Sequence, residues 1–82
     1  MNFEQKVISS LRTLFTSHHC QITFVDEFDT GRHFLLTIIS DQFAGKSKLD
    51  RSRLVYQILN QYLQSDQIHA ITMKLQTHQE AK

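Results

Sequence analysis

The side chains of this sequence that are best suited to binding a metal are five histidines and one cysteine. His33 and His69 each stand at the start of an apolar run, whereas His18, His19 and Cys20 are consecutive. A neutral imidazole binds iron and other transition metals through one ring nitrogen. Which of these side chains can share a metal depends on the elements that position them.

The first elements are a helix and a strand. Apolar residues recur at helical spacing from Phe3 to Phe15, and Asn2 is a suitable N-cap. This pattern predicts a first helix that ends in the polar segment 16–19. Apolar and polar residues then alternate from Cys20 to Phe24, which predicts a strand with one buried face.

A second strand follows an acidic turn at residues 26–33. The carboxylates of this turn, Asp26, Glu27 and Asp29, are expected to be solvated rather than to bind a hard cation. Residues 34–39 are almost all apolar, which is typical of a strand that is central in a small sheet or covered on both faces. The turn therefore predicts a hairpin between the first two strands.

A joint at residues 40–47 connects the hairpin to a second helix and a third strand. The apolar spacing predicts a helix from about Asp50 to Ser65 and a strand from Ile68 to Leu75, followed by a short turn or helix. Two strands joined by a crossover helix pair in parallel with a right-handed connection. The sequence thus predicts an α+β fold of order αββαβ(α), with helices on one face of a three-stranded mixed sheet.

Parallel pairing of the second and third strands decides which histidines can meet. His33 and His69 would lie at the same end of the sheet, on strands about 4.8 Å apart. Cys20 would begin an antiparallel strand about 17 Å from that end, since residues in a strand rise about 3.3 Å each. His18, His19 and Cys20 point in different directions, so they are not expected to share a metal. The pattern alone leaves His69 a second interpretation, a histidine at the core rim that hydrogen-bonds a backbone carbonyl.

Composition limits the classes of function. A chain of 82 residues with 40% hydrophobic residues is expected to form one domain, residues 1–82, with a modest core. The net charge of +1 provides no global field for nucleic acid, and one cysteine excludes an internal disulfide. No apolar run approaches about 18 residues and no signal-peptide pattern is present, so we expect a cytoplasmic protein without a membrane anchor. No nucleophile with a spaced base is found, so an enzyme is not expected.

Three motifs, in order, carry a resemblance to a known family. They are Phe43-x-Gly45-x-Ser47, then Arg51 and Arg53 before an apolar helical stripe, then Ile68-His69-Ala70. Over residues 21–79 the chain resembles the BolA family. The resemblance implies a class II KH-like fold. It also implies an accessory protein that binds a monothiol glutaredoxin and co-ligates a [2Fe-2S] cluster for iron–sulfur cluster trafficking or iron homeostasis.

The resemblance implies a ligand set as well. His69 matches the family's histidine ligand, and His33 is the candidate in the turn for the second ligand, as in the histidine-bearing subgroup. The other interpretation of His33 is an exposed turn histidine. The glutaredoxin would bring cysteine and glutathione thiolates, so no cluster is expected in the isolated protein. Self-association into a homodimer stays open.

The alternative function is a nucleic-acid-binding transcriptional regulator. Lys46, Lys48, Arg51 and Arg53 surround the start of the second helix, where a phosphate could bind weakly. A nucleic-acid-binding KH domain needs a Gly-x-x-Gly loop, and this chain has only Gly45 there. A serine also follows Arg51 where the family often has a histidine. A solvated basic face is therefore the other interpretation of these four cations.

Overall fold

The computed structural model describes residues 2–82 and has the predicted α+β architecture. Its helices and strands, in chain order, are α1 (Phe3–Arg12), β1 (Gln21–Asp26), β2 (His33–Ile39), α2 (Lys48–Gln64) and β3 (Ala70–Gln76). Residues 78–81 form a short final turn, as predicted. Within residues 2–82, no helix combines the length and the apolar character that a bilayer crossing requires.

Helix α1 is shorter than its apolar stripe predicted. Its N-terminus is capped as expected, because the Asn2 side chain accepts a 2.8 Å hydrogen bond from the Gln5 N–H. The helix ends early because Thr13 Oγ1 donates to the Ser10 carbonyl at 2.6 Å, and residues 13 and 14 bond three residues back along the backbone. Phe15 is nevertheless fully buried. The stripe therefore identified the buried residues correctly but not the helix end.

The sheet has the strand order β1-β2-β3. β1 pairs antiparallel with β2, with Gln21 opposite Ile39. β2 pairs parallel with β3, with His33 opposite Ala70. This register confirms the predicted crossover, and it puts the starts of β2 and β3 at the same end of the sheet.

The turn between β1 and β2 is organised by one carboxylate. Asp26 accepts hydrogen bonds from the backbone N–H groups of Thr30 at 3.2 Å and Gly31 at 2.6 Å. Gly31 has a φ of 72°, a left-handed conformation that glycine adopts without strain. Asp26 is thus part of the turn structure, and the expectation that it is only solvated is wrong.

The connection from β2 to α2 contains a one-turn 3₁₀ helix, Asp41–Phe43, that the sequence pattern did not predict. Phe43 in this turn is fully buried in the core. Helix α2 then begins at Lys48, earlier than predicted, because the Ser47 side chain accepts a 3.1 Å hydrogen bond from the Asp50 N–H. An apolar stripe marks only the buried positions, so it missed a polar first turn.

The helices pack on one face of the sheet, where they share a core with all three strands. In β2, Phe34, Leu36 and Ile38 are buried while the alternate residues are only half-buried. Since β2 lies between β1 and β3, it is the central strand. Only one of its faces is buried, so the interpretation in which both faces are covered is wrong. His33 belongs to the open face.

Candidate functional site

The starts of β2 and β3 form one end of the sheet, which we call the histidine edge: His33, His69, Ala70, Glu27 and Thr72. His33 is the first residue of β2 and lies opposite Ala70. The Ala70 N–H donates a 3.1 Å hydrogen bond to the Arg32 carbonyl, and His69 immediately precedes Ala70. The prediction that two histidines lie at one end of the sheet is therefore confirmed.

The His33 imidazole is held at one of its ring nitrogens. Its Nε2 lies 3.0 Å from Glu27 Oε2 and 3.0 Å from Thr72 Oγ1. The Phe28 ring lies against the imidazole, with the two centroids 5.5 Å apart. The other nitrogen, Nδ1, makes no hydrogen bond to residues 2–82. His33 is thus oriented by the protein while one nitrogen stays open.

The His69 side chain is exposed, and no hydrogen bond or ion pair joins it to the described part of the chain. The backbone on both sides of it is fixed. Ile68 is buried, and its N–H donates a 3.2 Å hydrogen bond to the Tyr62 carbonyl, while Ala70 is paired in the sheet. The contact to a backbone carbonyl that the rim interpretation requires is not found among residues 2–82. The His69 side chain is therefore exposed to solvent between two residues whose backbones are hydrogen-bonded.

Cys20, His18 and His19 lie at the opposite end of the sheet. Cys20 precedes β1, whose first residue is opposite Ile39 at the far end of β2. Its thiol is buried and donates a 3.2 Å hydrogen bond to Ser40 Oγ. The exposed rings of His18 and His19 pack together at a centroid distance of 4.2 Å. As predicted, these three residues are separated from the histidine edge.

Residues 2–82 contain no group of three or more His, Cys, Asp or Glu side chains that could hold a metal ion. The histidine edge offers two imidazoles, from His33 and His69. Each of these rings has a nitrogen without a hydrogen bond to residues 2–82, and a neutral imidazole nitrogen of that kind can bind a metal.

The protein-family model described as "BolA-like protein" matches residues 8–80. The chain belongs to this family. BolA-like protein 2 of Saccharomyces cerevisiae is 42% identical over 53 residues, which cover 65% of this chain and 42% of that protein. Three curated relatives are matched over 57%, 13% and 42% of their own length. The chain thus spans at most little more than half of the length of these relatives.

Solved structures share the fold of this BolA-like chain. BolA1 from Arabidopsis thaliana superposes with a TM-score of 0.85 over 100% of this chain and 99% of its own, at 24% identity. At that identity the likeness concerns the fold alone. A bol-like protein from Babesia bovis is 35% identical, with a TM-score of 0.71 over 98% of this chain and 90% of its own.

The four cations near the start of α2 are not equivalent in this BolA-like protein. Lys46, Lys48 and Arg53 are exposed, and Arg53 Nη1 lies 3.9 Å from Asp50 Oδ1. Arg51 is only 8% exposed. The expectation that Arg51 could contact a phosphate is therefore wrong, because its guanidinium is enclosed by the protein.

Arg51 instead fastens the C-terminal turn to the core. Its Nη1 and Nη2 donate to the Glu80 carboxylate at 2.6 and 3.1 Å, and Nη1 and Nε donate to the carbonyls of Leu75 and Lys46, both at 3.0 Å. The Arg51 guanidinium lowers the pKa of Glu80 from its usual 4.5 to about 2, and the backbone N–H of Thr77 adds to this shift. The hydrogen bond to Glu80 raises the pKa of Arg51. A short motif could not reveal this role, since Glu80 is 29 residues from Arg51.

Sequence reasoning also missed the role of Glu27, which it assigned to solvent. The Glu27 N–H donates a 2.9 Å hydrogen bond to the His33 carbonyl, so the two residues face each other across the base of the turn. The hairpin was predicted without a register, and it is the register, with Asp26 opposite Phe34, that brings Glu27 opposite His33. The Glu27 carboxylate therefore belongs to the histidine edge.

Proposed function

We propose that this BolA-like protein is a non-enzymatic binding module that docks on a monothiol glutaredoxin and lends His69 and His33 to a shared [2Fe-2S] cluster. The observation that carries the proposal is the parallel pairing of β2 with β3, in which His33 lies opposite Ala70. This pairing gathers two histidines at one edge, away from Cys20. Its cellular role would be iron–sulfur cluster trafficking or iron homeostasis.

The donor set of the histidine edge fits such a cluster. Imidazole nitrogens replace thiolates on one iron in histidine-ligated [2Fe-2S] centres. His33 would bind through Nδ1, because Glu27 engages its Nε2, and a carboxylate on the second nitrogen is the usual support of a metal-binding histidine. His69 would bind without losing an internal hydrogen bond, since none joins its ring to residues 2–82.

A partner would complete the ligand set. A [2Fe-2S] cluster is normally held by about four ligands, and this chain offers two imidazoles. The thiolates would come from the glutaredoxin cysteine and from glutathione. Replacing thiolate by imidazole raises the reduction potential of such a cluster, which is the chemistry that the cluster would gain here.

Nucleic-acid binding has less support. Arg51 is bonded to Glu80, and the loop before α2 has one glycine, Gly45, where a KH domain needs two. Lys46, Lys48 and Arg53 remain exposed and are expected to provide only weak, salt-sensitive binding.

The proposal is tested by titrating cluster-loaded monothiol glutaredoxin with the protein and its variants, followed by visible absorbance and circular dichroism. Wild-type protein should change the cluster spectrum and form a heterocomplex. His69→Ala should abolish this change, because it removes one of two available nitrogens. His33→Ala should weaken it less severely, because water or a neighbouring carboxylate can substitute as a ligand in the turn.

Cys20→Ser is the matched control, since Cys20 lies at the far end of the sheet. It should leave the spectral change intact, and thermal unfolding of each variant will show whether the fold is retained. The proposal fails if Cys20→Ser abolishes the spectral change while His69→Ala preserves it.

A further inference from the structure

We propose that Glu27 is a positioning residue that decides which nitrogen of His33 is open to a metal. The inference deepens the function proposed above and rests on it. It concerns a carboxylate that the sequence assigned to solvent, acting through His33 and not on the metal itself. Its basis is the contact set of the His33 ring.

The backbone fixes the distance between Glu27 and His33. The 2.9 Å hydrogen bond from the Glu27 N–H to the His33 carbonyl closes the hairpin and keeps the backbones of the two residues adjacent. Across this closure the Glu27 carboxylate reaches Nε2 of the ring at 3.0 Å. Both side chains are 34% exposed, so the pair is partly shielded from water.

The contact favours one position of the ring proton. A negatively charged carboxylate oxygen 3.0 Å from Nε2 stabilises the tautomer with the proton on Nε2, because an unprotonated Nε2 would place its lone pair next to the negative charge. In the neutral imidazole, the lone pair is then on Nδ1. Nδ1 makes no hydrogen bond to residues 2–82 and can receive a metal.

Thr72 cannot impose this choice alone. Its hydroxyl oxygen also lies 3.0 Å from Nε2, but a hydroxyl either accepts a hydrogen bond from a protonated nitrogen or donates one to a bare nitrogen. With Thr72 alone, both tautomers of His33 would be satisfied. The Glu27 carboxylate disfavours the second option, because it would face an unprotonated nitrogen with no hydrogen between them.

The other carboxylates of the turn do not compete for His33. Asp26 is occupied by the N–H groups of Thr30 and Gly31. The Asp29 side chain is exposed and makes no hydrogen bond or ion pair to residues 2–82. Glu27 is thus the acid of this turn that orients the ring, and Asp29 offers a matched control of the same charge.

The first arm of the test uses the isolated protein and needs no cluster. Two-bond ¹H–¹⁵N correlation of labelled protein at neutral pH reports which ring nitrogen carries the proton. In wild-type protein, His33 should show a protonated Nε2 and a bare Nδ1. In Glu27→Gln, the amide and Thr72 can both donate to Nε2, so the two ring-nitrogen shifts should move toward each other. Asp29→Asn should match wild-type, and unchanged His33 shifts in Glu27→Gln would overturn the inference.

The second arm measures the concentration of each variant that produces half of the full spectral change when cluster-loaded glutaredoxin is titrated with it. Glu27→Gln should require about 10-fold more protein or higher, as is typical when the partner of a ligating histidine is lost. Asp29→Asn should require the same amount as wild-type. A changed tautomer with an unchanged titration would overturn the positioning role.

The two arms separate this inference from the function on which it rests. If wild-type protein leaves the cluster spectrum unchanged, the proposed function fails and the positioning role fails with it. If wild-type and His69→Ala differ as expected while Glu27→Gln behaves as wild-type in both arms, only the inference about Glu27 fails.

Discussion

Strand β3 is flanked by two histidines that differ in their surroundings. His69 precedes the strand, is exposed and has no partner among residues 2–82. His78 follows the strand, donates from Nε2 to the His19 carbonyl at 2.9 Å, and has Nδ1 3.3 Å from Asp41 Oδ1. A histidine thus stabilises the fold where its ring is half-buried and hydrogen-bonded within the chain, as at Nε2 of His78, although Nδ1 of His78 has no hydrogen-bond partner among residues 2–82. A histidine is available to a ligand where its ring is exposed and has no internal partner, as at His69.

The same contrast extends to the two ends of the sheet. The end opposite the histidine edge, which we call the clamped end, contains the internally bonded pairs Arg51–Glu80, His78–Asp41 and Cys20–Ser40. The hydrogen bond from the His78 N–H and the adjacent His78 ring lower the pKa of Asp41. At the histidine edge, His33 and His69 keep a ring nitrogen without an internal hydrogen bond on side chains that are half-buried and exposed, respectively, whereas the unpaired Nδ1 of His78 is buried. Stability should therefore depend on the clamped end, and metal binding on the other.

The largest effect on stability is expected from the buried aromatic residue at the clamped end. Phe43 has no exposed surface, and its ring packs 5.3 Å from that of Phe15 and 5.7 Å from the Arg51 guanidinium carbon. Phe43→Ala should lower the free energy of unfolding by about 3–5 kcal/mol, because it removes a buried ring and leaves a cavity. Chemical denaturation will measure the loss.

Phe28→Ala is the matched control, since the Phe28 ring lies beside His33 of the histidine edge. Phe28 is 65% exposed, so its replacement should change the free energy of unfolding by no more than about 0.5 kcal/mol. Equal losses from the two substitutions would contradict the distinction between the two ends.

A pH-dependent effect is expected at the Arg51–Glu80 pair. The pKa of Glu80 is lowered in the folded protein from 4.5 to about 2, so the pair stabilises the fold above about pH 4.5 and this contribution is lost as the pH falls toward 2. Glu80→Gln should therefore lower the midpoint of thermal unfolding at neutral pH, with the difference from wild-type shrinking as the pH falls to 2.

The control for Glu80 is the same substitution in an Arg51→Met background. Without the guanidinium, Glu80→Gln should have a smaller and less pH-dependent effect, because only the contact of Glu80 with the Thr77 N–H remains. A difference in unfolding midpoint that is as large at pH 2 as at neutral pH would show that the ion pair is not its cause.

A smaller effect is expected from the two histidines that flank β3. His78→Ala should lower the free energy of unfolding by about 0.5–1.5 kcal/mol, the usual net value of a hydrogen bond such as that to the His19 carbonyl. His69→Ala should change it by no more than about 0.5 kcal/mol, because the side chain is exposed. Equilibrium unfolding of the two variants under the same conditions measures both losses. A larger loss of unfolding free energy for His69→Ala than for His78→Ala would contradict the distinction between these two histidines.

The smallest effect is expected for nucleic acid. If Lys46, Lys48 and Arg53 all contacted phosphates, log affinity would fall against log salt with a slope of about −2.7. We expect affinity weaker than micromolar at physiological salt, measured by fluorescence anisotropy with a short DNA duplex. Tighter binding that is lost when these three cations are replaced would favour the nucleic-acid alternative.

The periodicity of the chain predicted the elements and their pairing because these depend on where apolar residues recur. The parallel pairing of β2 with β3, and with it the common location of His33 and His69, followed from the connection through a helix. The 3₁₀ turn at Asp41–Phe43 was missed because it has a single buried residue and no period.

Side-chain partners were harder to predict than elements. The contact of Arg51 with Glu80 depends on how the C-terminal turn folds back, which no local pattern encodes. The contact of Glu27 with His33 depends on the turn geometry that Asp26 imposes. The sequence thus located both candidate ligands, but it did not identify the residue that orients one of them.

The most direct test of the central claim is pulsed electron paramagnetic resonance of the reduced cluster in the complex with a monothiol glutaredoxin. The protein would carry ¹⁵N-labelled histidine and the glutaredoxin would be unlabelled, so that any ¹⁵N coupling must come from this chain. The account predicts ¹⁵N couplings from two histidines. His33→Ala should remove one of them, His69→Ala should remove both because the cluster is then no longer shared with this chain, and His78→Ala should retain both. Absence of ¹⁵N coupling in the wild-type complex, or couplings that survive in His69→Ala and disappear in His78→Ala, would contradict it.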